Sequence, residues 1–317
     1  MTAPALDRPP ADPSASAPVP PASAPVPPAS ASGPAPVPPA PAPAPAGPRR
    51  GPLLVAARAV TLAAGLLLGF AGYLLGLSGL QEAHHQATAY ATLRDRLANA
   101  TAPTGPTEDG APLAVLDIPA IGLRQVVVVE GTSGRDLMRG PGHRRDTVLP
   151  GQPGVAVLFG RSTSFGAPFA DLGELEVGDR IDVTTGQGTF HYTVNTYGDG
   201  DHPIKDPAPD RLVLVTGDSD WMPTSTVLVG ARLDGDPEPA GAKRPATTAT
   251  DKVLAADKGA LPALQLWSLA LLLAVAAAAV AARRWQRTAA YLCAAPVVAA
   301  LLWSVYENAA ALLPNVY

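Results

Sequence analysis

Three apolar stretches of membrane-crossing length divide this chain of 317 residues and leave room for one soluble domain between the first and the second. Residues 59–80 form an unbroken apolar run within a predicted helix over 53–80; about 22 residues suffice to cross a ~30 Å hydrocarbon layer. A second run covers 261–282 and a third covers 289–305, with a joining loop too short to be a domain. No small-residue cleavage site follows the first run, only the polar QEAHHQ, so it reads as an uncleaved anchor and not as a signal peptide. Arg49, Arg50 and Arg58 precede it, and Arg283, Arg284 and Arg287 separate the second run from the third. The positive-inside bias assigns both clusters to the cytoplasm, which puts residues 81–260 and the end of the chain outside. The reading is a multi-pass plasma-membrane protein whose first partner is the lipid bilayer, with Trp267, Trp285, Trp303 and Tyr306 as interfacial anchors. Gly65, Gly69, Gly72 and Gly76 give small-xxx-small spacings that admit a second helix at close range.

Outside these runs the composition is just as restrictive. Residues 1–48 hold about half of the 37 prolines, and SAPVPPA at 16–22 repeats at 23–29. A stretch of this kind cannot bury a core, so it is expected to be a disordered cytoplasmic tail sampling polyproline II. The net charge of −4 and the lack of basic runs with interleaved aromatics set nucleic acid aside as a partner. The single cysteine, Cys293, lies in the third apolar run and excludes an internal disulfide. Residues 81–111 read as a helical stalk with a linker, and 236–260 as a second linker, which bounds the domain at 112–235.

That domain reads as short strands: LAVLDI, QVVVVEG, VAVLF, RIDVTT, GTFHYTVNTY, RLVLVT and TVLVGARL, separated by Gly, Pro and Asp. Enrichment in Val, Ile, Thr and Tyr without a long helical period predicts an all-β sandwich or closed barrel. Around the strands stand LDIPAIGL (116–123), VVEGTS (128–133), GPGH (140–143), LPGQPG (149–154), FGAPFADL (165–172) and RLVLVTGDS (211–219). In this order and spacing they resemble the sortases of Gram-positive bacteria, particularly actinobacterial ones. The resemblance implies an eight-stranded β-barrel on the outer membrane face and a cysteine transpeptidase acting on a Leu-Pro-x-Thr-Gly-like sorting signal, helped by a His and an Arg. Such chemistry needs a thiolate, a proton shuttle and a donor for the developing oxyanion.

None of the three positions keeps its reactive residue. Where the family pattern has its His after the strand, this chain has Arg161 in FGRSTSFGAPF; the Cys position is Gly217, and the Arg position is Thr226. Arginine holds anions or carbonyls but does not shuttle protons near neutral pH. No catalytic residue is therefore assigned, and Arg161, Asp218, Ser219 and His202 are the candidates for peptide binding, the last in a loop at 197–210 that the resemblance places beside the groove. Ser219 in a GDSD turn, or Ser162, Thr163 and Ser164, would be the nucleophile of an enzyme with displaced chemistry. His143 in GPGH reads as structural and His191 as a strand-face residue. His84 and His85 lack distant partners for a metal, and Glu174, Glu176 and Asp179 read as a solvated turn; neither cofactor nor metal is expected. The leading expectation is a catalytically inactive sortase-like protein that binds a sorting-signal peptide, another envelope protein or a sortase. The alternatives are an active sortase with a displaced nucleophile, or a structural spacer domain in a polytopic membrane protein.

Overall fold

The computed structural model describes residues 50–218, 223–241, 244–285 and 287–317. The first helix, α1 (Arg50–Gly72), passes through one π-type turn at Tyr73–Leu77 into α2 (Ser78–Ala98). Eight strands follow: β1 (Pro112–Ile118), β2 (Leu123–Glu130), β3 (Gly142–His143), β4 (Val155–Phe159), β5 (Arg180–Thr185), β6 (Gly188–Asp199), β7 (Arg211–Gly217) and β8 (Thr226–Asp234). A single-turn helix, α3 (Gly134–Leu137), lies between β2 and β3, and α4 (Leu261–Arg284) and α5 (Arg287–Ala310) close the sequence. Three helical segments are long and apolar enough to cross a membrane by length and composition: Leu53–Ala98, Lys258–Arg284 and Arg287–Ala310.

The strands close into a barrel in the order β1-β2-β3-β4-β7-β8-β6-β5. The fold is not purely all-β, since five α-helices and several 3₁₀ turns accompany the barrel. Seven strands coincide with the seven runs read from the sequence; β3, two residues in GPGH, is too short to carry a period. It is held by pairing in parallel with β2 and antiparallel with β4. Closure gives each strand two neighbours, and where the two-residue β3 leaves β2 uncovered Gln86 of α2 bonds both the N–H and the carbonyl of Val127.

Alternation decides which side chains fill the barrel. Ala156 and Leu158 of β4, Leu212 and Leu214 of β7, and Ile181, Val183, Tyr192 and Val194 of β5 and β6 point into one core with Phe169 and Leu172. β4 and β7, paired in parallel, are apolar on the other face too: Val157, Phe159, Val213 and Val215 belong to a second cluster outside the barrel. A strand buried on both faces loses its polar alternation, which is why VAVLF and RLVLV read as unbroken apolar runs.

Two buried polar contacts lock the ends of the barrel. Glu130 and His143 face each other across the β2–β3 pair with Nδ1 3.3 Å from a carboxylate oxygen, and His143 Nε2 lies 2.9 Å from the Val148 carbonyl oxygen. The Gly151 N–H donates to the Tyr192 hydroxyl at 2.6 Å, in a turn where Gly151 takes φ +90° under the Phe190 ring. Of the four glycines spaced along the first apolar run, Gly69 is the one in close contact: a Cβ there would lie 2.5 Å from the Tyr306 hydroxyl of α5, which donates to the Leu66 carbonyl at 2.9 Å.

Replacing Tyr192 by Phe leaves the buried Gly151 N–H without an acceptor. Denaturation of the full chain in detergent micelles is expected to show a loss of about 1–3 kcal/mol for Tyr192→Phe.

Candidate functional site

Positions 161, 217 and 226 meet on one rim of the barrel. Beyond β4 the Gly160 N–H still donates to the Val215 carbonyl at 3.0 Å, and Thr216 Oγ1 donates to the Gly160 carbonyl at 3.0 Å, so Arg161 leaves the sheet beside the end of β7. Gly217, the last residue of β7, pairs with Thr226, the first of β8. Sequence-distant residues are brought together here by the parallel β4–β7 pair.

Arg161 has no exposed surface. Its guanidinium donates to Ser164 Oγ at 3.0 Å, to the Gly134 carbonyl at 3.0 Å and to the Tyr317 carbonyl at 3.3 Å. Its Cζ lies 4.9 Å from the centroid of the Phe165 ring, a cation–π distance. Burial pulls the guanidinium down to about 9, with nearby tyrosines opposing the shift, and it remains charged at neutral pH. The loop that presents it is strained, because Phe165 (φ +52°) and Ala167 (φ +44°) hold left-handed conformations that β-carbon residues rarely adopt. What holds Phe165 is the helix behind it: its N–H donates to Ser78 Oγ at 3.0 Å, and its ring stands edge-on to Tyr73 at 6.2 Å.

Gly217 offers no nucleophile and little space for one. A Cβ there would lie 2.6 Å from Pro223 Cβ and 3.2 Å from Ser162 Oγ. Thr226 is buried at the head of β8 with its hydroxyl directed near Gly200. Asp218 is engaged in its own turn, accepting from the Thr224 N–H at 3.0 Å while its N–H donates to the Ser225 carbonyl. His202 is exposed and bonded to Asp199, whose carboxylate accepts the His202 N–H at 2.6 Å. Ser219 lies outside the described residues. Of the three described candidates, Arg161 reaches an apolar cleft on the outside of the barrel, and it reaches it buried.

The outer face of β4 and β7 is the floor of that cleft, formed by Val157, Phe159, Val213 and Val215. Leu137 of α3 forms one wall and Val253 of the segment before α4 another. The end of the chain runs across this floor. Asn315 and Val316 are fully buried and Tyr317 nearly so. The Ser162 N–H and Oγ both donate to the Val316 carbonyl, at 3.0 and 3.1 Å, and Ser164 Oγ donates to the Tyr317 carbonyl at 2.7 Å. Asn315 Nδ2 faces the carbonyls of Thr132, Thr250 and Lys252 at 3.1, 2.6 and 2.8 Å. Beyond the tail a cavity of about 250 Å³ stays open, lined by Val157, Phe159, Val215, Pro203, Thr226 and Val253.

Sequence reasoning passed over residues 311–317. They are too few for a period, but two strands apolar on both faces imply a cover for the outer one, and an apolar Leu-Leu-Pro-Asn-Val-Tyr end was available to supply it. The linker at 236–260 also takes part: Ala249–Asp251 and Lys258–Ala260 form 3₁₀ turns, with Asp251 and Ala260 buried. One hydroxyl–imidazole–carboxylate row is present, Thr147–His143–Glu130, with Thr147 Oγ1 3.2 Å from His143 Nε2. That nitrogen also faces the Val148 carbonyl at 2.9 Å, and the Thr147 hydroxyl donates to the Arg144 carbonyl at 2.7 Å. The row is a buried structural tie and not a nucleophile with its base. Among the described residues no three His, Cys, Asp or Glu side chains are grouped to hold a metal. Asp179 accepts the Glu176 N–H at 2.7 Å within its own turn. Cys293 lies on an exposed face of α5.

Residues 116–233 match the family model described as a sortase domain. Sortase D of Bacillus subtilis (strain 168) is 36% identical over 87 residues, which cover 27% of this chain and 42% of that protein. The match thus spans less than half the length of that relative. Among solved structures, sortase E from Streptomyces avermitilis is 31% identical, covering 41% of this chain and 91% of that one with a TM-score of 0.35. A Sortase D5 transpeptidase from Clostridium perfringens is 21% identical, covering 48% and 99% with a TM-score of 0.41.

An imidazole cannot reproduce the three-way fork of Arg161. Arg161→His, although it introduces the residue type that the family resemblance puts at this position, is expected to destabilise the barrel by about 2 kcal/mol or more, because buried carbonyl oxygens lose charged donors. Thermal unfolding of the full chain in detergent checks this; an unchanged transition would contradict the role given to the guanidinium.

Proposed function

We propose that this chain, which carries a sortase domain at residues 116–233, is a catalytically silent member of that group, anchored in the plasma membrane by three spans and binding an extended peptide or protein partner at the cell envelope. The barrel then lies outside and the proline-rich tail inside, an orientation supported by the arginine clusters around the apolar runs. The observation that carries this reading is the joint replacement at one rim: Arg161, Gly217 and Thr226 stand where the resemblance puts a proton shuttle, a thiolate and a cation. The apolar floor of β4 and β7 beside them persists. A site that loses its reacting groups while keeping a floor and backbone-reading donors retains the means to bind.

An enzyme with a displaced nucleophile is the weaker reading. The hydroxyls of Ser162 and Ser164 both donate to carbonyls of the chain's own end, and neither has an imidazole within hydrogen-bonding reach among the described residues. The spacer reading is favoured by one observation, the seam in which Ser78 and Tyr73 grip Phe165. That seam also serves a binding domain by holding it at a fixed height over the bilayer.

Incubating the full chain in detergent with a Leu-Pro-Asn-Thr-Gly peptide and an acceptor amine is expected to give no cleavage and no acyl adduct by intact mass. Gly217→Cys is expected to stay equally silent, since it restores a thiol without a proton shuttle and against Pro223. An adduct on the unmodified chain, or peptide turnover, would overturn the reading.

A further inference from the structure

We infer that the cleft's resident ligand is the chain's own C-terminal segment, residues 313–317, acting as a tethered pseudo-substrate that any external peptide has to displace. This rests on the proposal that the cleft takes an extended peptide, and goes beyond it by naming what occupies the cleft and how occupancy limits access.

The contacts are of the kind that reads a bound peptide. Successive main-chain carbonyls, those of Val316 and Tyr317, are each held by two donors from the loop after β4: the N–H and Oγ of Ser162 for the first, and Ser164 Oγ with Arg161 for the second. Recognition through the backbone gives affinity, while pockets for individual side chains give selectivity. Val316 supplies one such side chain, fully buried among Val157, Phe159, Val213 and Val215. Asn315 supplies the other: its N–H donates to the Ala255 carbonyl at 2.9 Å, and its amide nitrogen lies among the three carbonyls of residues 132, 250 and 252.

The position matters as much as the contacts. Ser162 Oγ, which donates to the Val316 carbonyl at 3.1 Å, also lies 3.2 Å from the point where a β-carbon at 217 would stand. The tail therefore presents a peptide carbonyl beside the place that the resemblance gives to a nucleophile, and Gly217 has nothing to attack it with.

The donors do not depend on the tail for their own placement. Arg161 is held by Gly134 and Ser164 as well, and sits on Phe165. Removing the tail leaves an apolar floor with a charged donor and two hydroxyls at its end, complementary to an extended peptide of Leu-Pro-Asn-aliphatic-aromatic type. A ligand joined to the domain by a short connection acts at a high local concentration, on the order of millimolar, so even a weak intrinsic contact keeps the cleft filled.

The test compares the full chain with the same chain lacking residues 313–317, both in detergent micelles, using a fluorescent Leu-Leu-Pro-Asn-Val-Tyr peptide. The truncated chain is expected to bind it about tenfold or more tightly than the full chain does, and Arg161→Ala in the truncated chain is expected to remove that gain. Equal affinity for the two chains, or no binding to a truncated chain that keeps its unfolding transition, overturns the inference. A Leu-Pro-Asn-Thr-Gly peptide run in parallel separates the two proposals. If only the tail peptide binds, the envelope-partner reading fails and the tail assignment stands; if only the other binds, the reverse holds. Should truncation unfold the protein, hydrogen exchange on the intact chain decides. The Asn315 and Ser162 amides are expected to be protected, and to exchange faster when millimolar tail peptide is added while β4 is unchanged. Unprotected amides, or exchange indifferent to the peptide, overturn it.

Discussion

Arg161 carries a full charge into a place where no water reaches it, and much of the architecture around the cleft is what makes that burial tolerable. A lone guanidinium removed from water would be strongly unfavourable, so its donors must find oxygens and its face an aromatic ring. The oxygens come from α3, from the loop after β4 and from the end of the chain, and the ring is Phe165, which in turn rests on Tyr73. One side chain thus ties four sequence-distant segments together, and the left-handed Phe165 is tolerable because Ser78 and Tyr73 hold it from behind.

The β4–β7 pair sets the second condition. Strands apolar on both faces are stable where both faces are covered, and here the barrel interior covers one while α3, the segment before α4 and the tail cover the other. Burial of Val316 and Val253 on that outer face removes apolar surface at about 25 cal/mol per Å². The linker at 236–260 is accordingly ordered where it meets the barrel, despite a Pro- and Thr-containing composition that reads as loose chain.

Most of the barrel was legible because its strands are short Val-, Ile-, Thr- and Tyr-rich runs, alternating in β5 and β6 and continuously apolar in β4 and β7, with Gly, Pro and Asp between them. β3 was not, since two residues in GPGH carry no period and their pairing is set by β2 and β4. At the site, the identities of Arg161, Gly217 and Thr226 could be read directly, but the burial of Arg161 could not, because it depends on oxygens 27 and 156 residues away. Asp218 and His202 are binding candidates by residue type, and the hydrogen bonds each makes within its own turn carry no sequence signal. Equivalent spacing of Gly65, Gly69, Gly72 and Gly76 likewise concealed that only Gly69 meets Tyr306, a matter of which helix face α5 happens to occupy.

The α5 helix ends at Ala310 and the buried tail begins at the next residue, with the Ala311 carbonyl accepting from the Asp257 N–H at 2.9 Å. There is no slack between the two. A helix some two dozen residues long, interrupted by Pro296, is therefore coupled in series to a segment seated on the barrel, and that segment does not lift unless its attachment at Ala311 yields or the helix moves. On the tethered-tail inference, a shift of α5 against α1, which touch where Gly69 meets Tyr306, and occupancy of the cleft are coupled. In the membrane-anchored reading proposed above, a change in the tilt of α5 reaches the cleft through the attachment of the tail.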